Sequence, residues 1–301
     1  MAGKILVVGS LHLDVIVHSS RLPKPDETLL GDKVSYRFGG KGGNQALAAA
    51  KIDVQVFMAG RIGTDNFGKQ IYDTLSNQNI NLDGLKMVDE ATGMSVALIG
   101  SDGIYCAVVV SGANQTIDLS EIAVPDDLTV LVLQNEINTD ANFEIIKKVP
   151  KSTFIILNAA PALTPNKDFF ERIDLLIVNQ LEAKMLLNEE PSIFNNLDAL
   201  RKLQNLGPKE VIITLGAEGY TGISKNGEIF SEPGIKVDVL STHGAGDSFV
   251  GTLAAFICKG EPINIAAQYA QASSALHVKT PIDQREKILQ ADIENMFSLN
   301  Q

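Results

Sequence analysis

"DLLIVNQLEA", residues 174–183, holds the logic of the fold in one short stretch. Its first half, Asp174 to Val178, is apolar after the opening aspartate, so this strand has no polar face for water and must be covered on both sides. The second half opens at once with Asn179, an N-cap residue, and Glu182 follows three positions later, the spacing of a capping box. A buried strand running directly into a capped helix is the building unit of a parallel sheet. Similar apolar runs recur at 4–8 (KILVV), 54–59 (VQVFMA), 129–133 (TVLVL), 153–157 (TFIIL) and 211–215 (VIITL), with helix-patterned segments at 65–79, 139–148 and 197–206. The alternation predicts an α/β fold with a mostly parallel sheet sandwiched by helices.

Two regions follow a different period. In "LHLDVIVH", residues 11–18, Leu11, Leu13, Val15 and Val17 alternate with His12, Asp14, Ile16 and His18, which gives one apolar and one mostly polar face. A less regular version appears at 94–100 and 104–110, joined by the hairpin turn "SDG". Segments 10–37 and 92–112 are therefore read as a small one-sided sheet that projects from the main body like a lid. Its apolar face would be wet in a monomer, and a homodimer joined through the lids is the simplest cover. Near the C-terminus, "YTGIS" and "EIFS" flank an Asn-Gly turn and predict an antiparallel edge hairpin, and "GIKVDVL", 234–240, reads as a further strand.

Composition narrows the function. With 301 residues, 45% hydrophobic and 20% charged, the chain can bury one large core, or a core with a small satellite. Asp plus Glu number 36 against 25 for Lys plus Arg, and the net charge of −11 disfavours nucleic acid and anionic membrane as partners. "MAGKILVVGS" is too short in apolar residues for a signal peptide, and no later run approaches the roughly 20 apolar residues of a spanning helix, so the expected location is cytoplasmic. Cys106 and Cys258 lack any paired spacing and are expected to be reduced, buried thiols; the four histidines show no ligand spacing either.

Chemistry concentrates in "HGAGDSF", residues 243–249, at the mouth of an apolar helix starting near Ala245. The first N–H groups of that helix lack intrahelical partners and, with the helix dipole, attract anions. A carboxylate there competes with a phosphate unless it takes a proton from a hydroxyl attacking the phosphoryl group. The structural alternative is an ordinary first-turn Asp, stabilising by ~0.5–1 kcal/mol. A second cluster, "FGGKGGNQALAAAK" at 38–51, surrounds Lys41 with Gly39, Gly40, Gly42 and Gly43 and matches neither a Walker loop nor a Rossmann fingerprint. It is either a tight turn for close helix packing or a polar-ligand loop with Lys41 and Asn44 as donors. Asn179 and Glu182 are read first as a helix cap, and second as an amide and carboxylate at the strand edge where α/β folds bind ligands, Glu182 then holding Mg²⁺ through water.

Together, "GSLHLD" (9–14), "FGGKGGNQA", "GRIGTDNFG" (60–68), "SGANQTI" (111–117), "NAAPA" (158–162), "VNQLEA", "ITLGAEG" (213–219) and "STHGAGDSF" resemble, in order, the successive motifs of the ribokinase (PfkB-type) carbohydrate kinases. The resemblance spans nearly the whole chain. It implies a Rossmann-like α/β domain with a β-sheet lid, ATP as donor, and transfer to a sugar hydroxymethyl group. By position it makes Asp247 the catalytic base and the amides of Gly244, Ala245, Gly246 and Asp247 the anion hole. Asp14, Gly40, Lys41, Asn44 and Glu136 match sugar-contacting positions. Asn179 and Glu182 match the phosphate and magnesium region, and Thr214, Gly216 and Gly219 the nucleotide loop, with Gly246 at the phosphates. A nucleoside or hexose kinase of the same fold, and a non-catalytic sugar sensor, remain open alternatives.

Departures from the family pattern are informative. His12 stands where ribokinases carry an asparagine that touches the sugar, and Asn135 replaces an apolar residue, which leaves the acceptor open. The family also implies a monovalent cation, K⁺, beside the anion hole. Here Ser241 replaces the usual aspartate, and Lys279 and Arg285 stand where small residues are usual, so weak dependence on K⁺ is expected, with a nearby lysine as a fixed charge in the ion's place.

Overall fold

The computed structural model describes residues 3–101, 104–163, 166–189 and 195–300. Its strands are β1 (Lys4–Val8), β2 (His12–Ser19), β3 (Gly31–Gly39), β4 (Gln55–Gly63), β5 (Ile80–Val88), β6 (Met94–Gly100), β7 (Tyr105–Val110), β8 (Leu128–Gln134), β9 (Phe154–Asn158), β10 (Leu175–Asn179), β11 (Glu210–Thr214), β12 (Tyr220–Ile223) and β13 (Ile229–Glu232). The helices are α1 (Lys41–Ala49), α2 (Asn66–Ser76), α3 (Thr139–Lys148), α4 (Lys167–Phe170), α5 (Gln180–Leu187), α6 (Asn196–Gln204), α7 (Ala245–Cys258), α8 (Ile263–Lys279) and α9 (Gln290–Ser298).

Among the described residues the strands form a nine-stranded sheet, β13-β12-β11-β10-β9-β8-β1-β4-β5, and a four-stranded sheet, β3-β2-β6-β7. Every pairing in the large sheet from β5 to β11 is parallel, and β12 and β13 close one edge as the expected antiparallel hairpin. The apolar runs follow from this. In β1, Ile5 and Val7 enter a core shared with α1, α2, α7, α8 and α9, while Leu6 and Val8 enter a second core with α3, α4, α5 and α6. Each fully buried aliphatic contributes roughly 1.5–3 kcal/mol, so a polar face on β1 would be costly on either side.

The structure differs from expectation at three places in the large sheet. β4 runs on to Gly63, and β5 is an edge strand whose sequence, INLDGLKMV, buries only Ile80 and Leu85 and so carries no clear period. Residues 234–240 form no strand. The Leu240 and Ser241 amides both donate to the Val278 carbonyl, and Val239 and Leu240 remain exposed.

The small sheet joins β2 antiparallel to β3 and parallel to β6, with β7 antiparallel to β6 at its edge. Of the "SDG" turn, Asp102 and Gly103 lie outside the described residues. The chain first passes from the large sheet to the small one through Gly9, Ser10 and Leu11, and again between β5 and β6. The expectation that Leu11 and Leu13 would be wet is wrong: both are buried, because the base of β2 packs into the core over α1. Val15 and Val17 are half-buried. Apolar exposure lies further out on the same face, at Val34 and Tyr36 of β3 and Cys106, Val108 and Val110 of β7. Cys106 is thus exposed rather than buried, since an edge strand has no cover, whereas Cys258 is buried as expected.

Candidate active site

Strands β8, β9, β10 and β11 end at Gln134, Asn158, Asn179 and Thr214, and this carboxyl edge is where open α/β sheets bind ligands. The N-terminus of α7 meets that edge. Between them lies a cavity of about 220 Å³ lined by Lys41, Asn158, Asn179, Glu182, Thr214 and Gly244 to Asp247.

Helix α7 is apolar because it is covered nearly all round: from Asp247 to Phe256 every residue is buried. Its N-cap, Gly244, has φ 76°, a left-handed conformation that glycine adopts without strain. The Ala245 amide already donates to the Thr242 carbonyl at 3.1 Å. Gly246 and Asp247 follow at the second and third helical positions, where amides have no intrahelical acceptor, and these are the donors left for an anion.

Asp247 is buried, with Oδ1 accepting from Gln45 Nε2 at 3.1 Å and Oδ2 from Asn44 Nδ2 at 3.2 Å. Burial raises its pKa above the usual carboxylate value, against the opposing pull of the Lys41 charge and the two amide donors. Lys41, the first residue of α1, has its pKa raised: burial alone would lower it, but Asp247, Glu136 and Glu182 together outweigh that. One cation therefore serves three carboxylates. Glu136 is fixed by Ser10 Oγ at 2.5 Å and by the Lys41 amide at 3.0 Å.

Asn179 and Glu182 form the predicted capping box, Oδ1 to the Glu182 amide and Oε2 to the Asn179 amide, each at 2.8 Å. The two readings of this pair are compatible, because both residues also line the cavity. Burial raises the Glu182 pKa, with Lys41 and the Asn179 amide opposing.

Asp14, on β2, faces the neighbouring strand β6 and accepts from Ser95 Oγ at 2.5 Å. His243 reaches across from the loop before α7 to within 3.4 Å of the same carboxylate, an approach that no local pattern foreshadows. Burial would raise the Asp14 pKa, but the hydrogen bonds from His243 and Ser95 hold it low. His12, beside it, is buried and pushed toward its neutral form by desolvation, and its Nε2 has no partner. Gly40 has φ 87° and a Cβ there would lie 2.7 Å from the Ser10 carbonyl oxygen, so it lets α1 start directly under the β1 to β2 crossing. Gly216 and Gly219 do not line the cavity; they form the turn beyond β11, next to Thr214.

The sequence reading missed the two glutamines that orient the base. Gln134 Nε2 donates to Gln45 Oε1 at 2.7 Å, which turns the Gln45 Nε2 toward both Asp247 and Asn158. The signal in sequence is a second amide directly after Asn44 on a helix rich in glycine and alanine. Other motifs hold the frame. Asn114 clamps both backbone groups of Leu11, and Asp65 ties α2 to Thr92.

A family model described as pfkB family carbohydrate kinase matches residues 2–287. The chain belongs to this family. A ribokinase of Schizosaccharomyces pombe is 32% identical over 292 residues, spanning 91% of this chain and 92% of the relative. A deoxyribokinase of Salmonella typhi is 27% identical over 282 residues, with 91% and 92% covered. The solved structure of Arabidopsis thaliana ribokinase complexed with ribose and ATP superposes with a TM-score of 0.89 at 28% identity, covering 99% of both chains. The Rossmann-like architecture with its small sheet is thus the ribokinase-like fold.

Proposed function

We propose that this kinase transfers the γ-phosphoryl group of ATP to the hydroxymethyl group of a small sugar. The observation that carries the reading is a single one: a buried carboxylate, Asp247, shares the first turn of α7 with unpaired backbone donors that open into a cavity. A carboxylate whose pKa is raised, yet which faces a lysine, is suited to take a proton and not merely to cap a helix. As the hydroxymethyl oxygen forms its bond to the γ-phosphorus, its proton passes to Asp247, the bond from phosphorus to the ADP oxygen breaks, and the charge on the phosphoryl oxygens meets the amides of Gly246 and Asp247 and the Lys41 ammonium. Asp14, Gly40, Asn44 and Glu136 hold the sugar, and Asn179, Thr214, Gly216 and Gly219 border the nucleotide.

Magnesium would travel with the nucleotide. No cluster of three or more His, Cys, Asp or Glu among the described residues suits a metal, which fits an ion held mainly by phosphates, with Glu182 reaching it through water. When bound it neutralises charge on the transferring phosphates. ADP release measured across pentoses, hexoses and nucleosides tests the proposal, with ribose and deoxyribose first because the relatives' names contain them. Turnover on none of them would overturn it in favour of a sugar-sensing role. Among the described residues no helix is long and apolar enough to cross a membrane, and dependence on ATP suits the cytoplasm.

The small sheet would act as a lid over the sugar and as a dimer clasp. Its outer face combines Val34, Tyr36, Val108 and Val110, each about half exposed or more, with half-buried Val15, Val17, Val96 and Leu98 on the same side. A continuous apolar face of this kind marks a contact surface, and a second copy of the chain can present the same face in return. Val108→Glu is expected to turn a sedimenting dimer into a monomer; a monomeric parent at micromolar concentration would refute the clasp.

A further inference from the structure

Arg285 lies in the turn between α8 and α9, is 7% exposed, and takes no part in the chemistry above. Its guanidinium gathers backbone carbonyls from two separate segments. Nη2 donates to Ser241 at 2.8 Å, Nη1 to His243 at 2.8 Å, and Nε to Thr280 at 3.2 Å. Nη1 is also 2.8 Å from Nε2 of His277, a ring that lies 2.9 Å from the His243 carbonyl and is held neutral by burial and by the arginine, its pKa pushed down to about 4. The same ring packs against the α7 N-cap: a Cβ on Gly244 would stand 3.1 Å from it. Lys51 Nζ, just past the C-terminal end of α1, donates to the Arg285 carbonyl at 2.9 Å and fixes the turn from behind.

Ser241 and His243 belong to the loop that delivers Gly244, Gly246 and Asp247 to the cavity. Carbonyl oxygens converging from two segments are the donor set a bare monovalent cation would take, but here they are already occupied by N–H donors. A K⁺ ion does not fit this loop. Ser241 supplies no carboxylate, and Lys279, the other candidate for a fixed charge, is exposed. The side chain that meets the loop carbonyls is not the lysine expected from sequence but Arg285.

Building on the proposed kinase reading, we propose that Arg285 is a positioning residue whose guanidinium does the work of a monovalent cation beneath the anion-binding loop, so that turnover does not depend on K⁺. An arginine keeps its charge at any physiological pH and offers five N–H donors in a fixed plane, which orders the loop and adds positive charge beneath it.

The test compares KCl with choline chloride at constant ionic strength, reading both ADP release and melting temperature. The parent is expected to show the same kcat and melting temperature in both salts. Arg285→Ala is expected to lose about tenfold or more in kcat with the sugar KM held, and to regain part of it with added methylguanidinium or K⁺; Arg285→Lys should fall between. A tenfold activation of the parent by K⁺ would overturn the assignment. So would an Arg285→Ala protein that keeps parental kcat in choline. If the alanine variant fails to fold, the parent titration and Arg285→Lys still decide. If the parent turns over no sugar, the kinase reading fails, while melting in the two salts still tests the cation claim: stabilisation of the parent by K⁺ speaks against Arg285, and stabilisation of only the alanine variant speaks for it.

Discussion

The two glycine-rich loops of the candidate active site look alike in sequence and differ in kind. Each leads into a helix through a glycine with positive φ, 87° at Gly40 and 76° at Gly244. Beyond that point they diverge. A Cβ on Gly42 would come within 2.7 Å of the Gly9 carbonyl carbon, whereas a Cβ on Gly246 would meet nothing within 4 Å. The first loop is bare so that α1 can press against the chain crossing between the two sheets. The second is bare so that something else can approach. Glycine content alone therefore does not distinguish a packed turn from a binding loop; the distance to the nearest backbone does.

The sharpest way to break that contrast is at the open loop. Asp247→Asn keeps the shape and removes the proton acceptor, and kcat is expected to fall about 10²–10⁴-fold. Because burial raises the pKa of Asp247, its charged form is disfavoured in the folded state, so the neutral amide should melt at or above the parent temperature near neutral pH. Turnover within about tenfold of the parent would remove Asp247 from the mechanism.

Alanine at the two glycines should separate stability from activity. Gly42→Ala must displace backbone and is expected to cost ~1–3 kcal/mol in denaturant unfolding, with activity following the folded fraction. Gly246→Ala lies in a helix with room for its methyl group and should hold or raise stability by up to ~1 kcal/mol, while kcat drops as the methyl enters the phosphate space. Equal loss of stability in both variants would erase the distinction.

A smaller effect links the loops. Lys41, at the start of the packed helix, lowers the pKa of Asp247 on the open one. Replacing it with Met removes that attraction, so the Asp247 pKa rises and protonation sets in at higher pH. The acid limb of kcat/KM should move upward relative to the parent, whatever the plateau; an unmoved limb would show that the two groups are not coupled.

How much could be read from the chain depended on how local the physics was. The apolar strands of the large sheet were legible because burial on both faces leaves an unbroken apolar run, and Asn179 with Glu182 because a cap spans three residues. β5 was not, since an edge strand half in water carries a blurred period. Residues 234–240 look β-rich, yet their amides near the end pair with Val278 rather than with a strand. The polar face of β2 carries Asp14, which meets Ser95 and His243, but the apolar face misled at Leu11 and Leu13, which are covered by distant segments of the same chain. Asp247 and Lys41 stand out as charges among glycines at a helix start, and Glu136 only through the order of the motifs. The partners that orient or brace them, Gln134 for the base and Arg285 for the loop, act across separations of 89 and 44 residues, so Gln134 carries no local sign of its role and Arg285 shows only as a charge where small residues are usual.

The line of amides from Gln134 through Gln45 to Asp247 has a direction. A carboxamide has an accepting end and a donating end, and because Gln134 fills the accepting end of Gln45, the donating end must face the base. Were Gln45 turned over, two oxygens would oppose each other at Asp247 and two NH₂ groups would oppose each other at Gln134. A strand on one side of the core thus sets which end of the amide faces the base on the other, and no titratable group stands between Gln134 and Asp247 in that line.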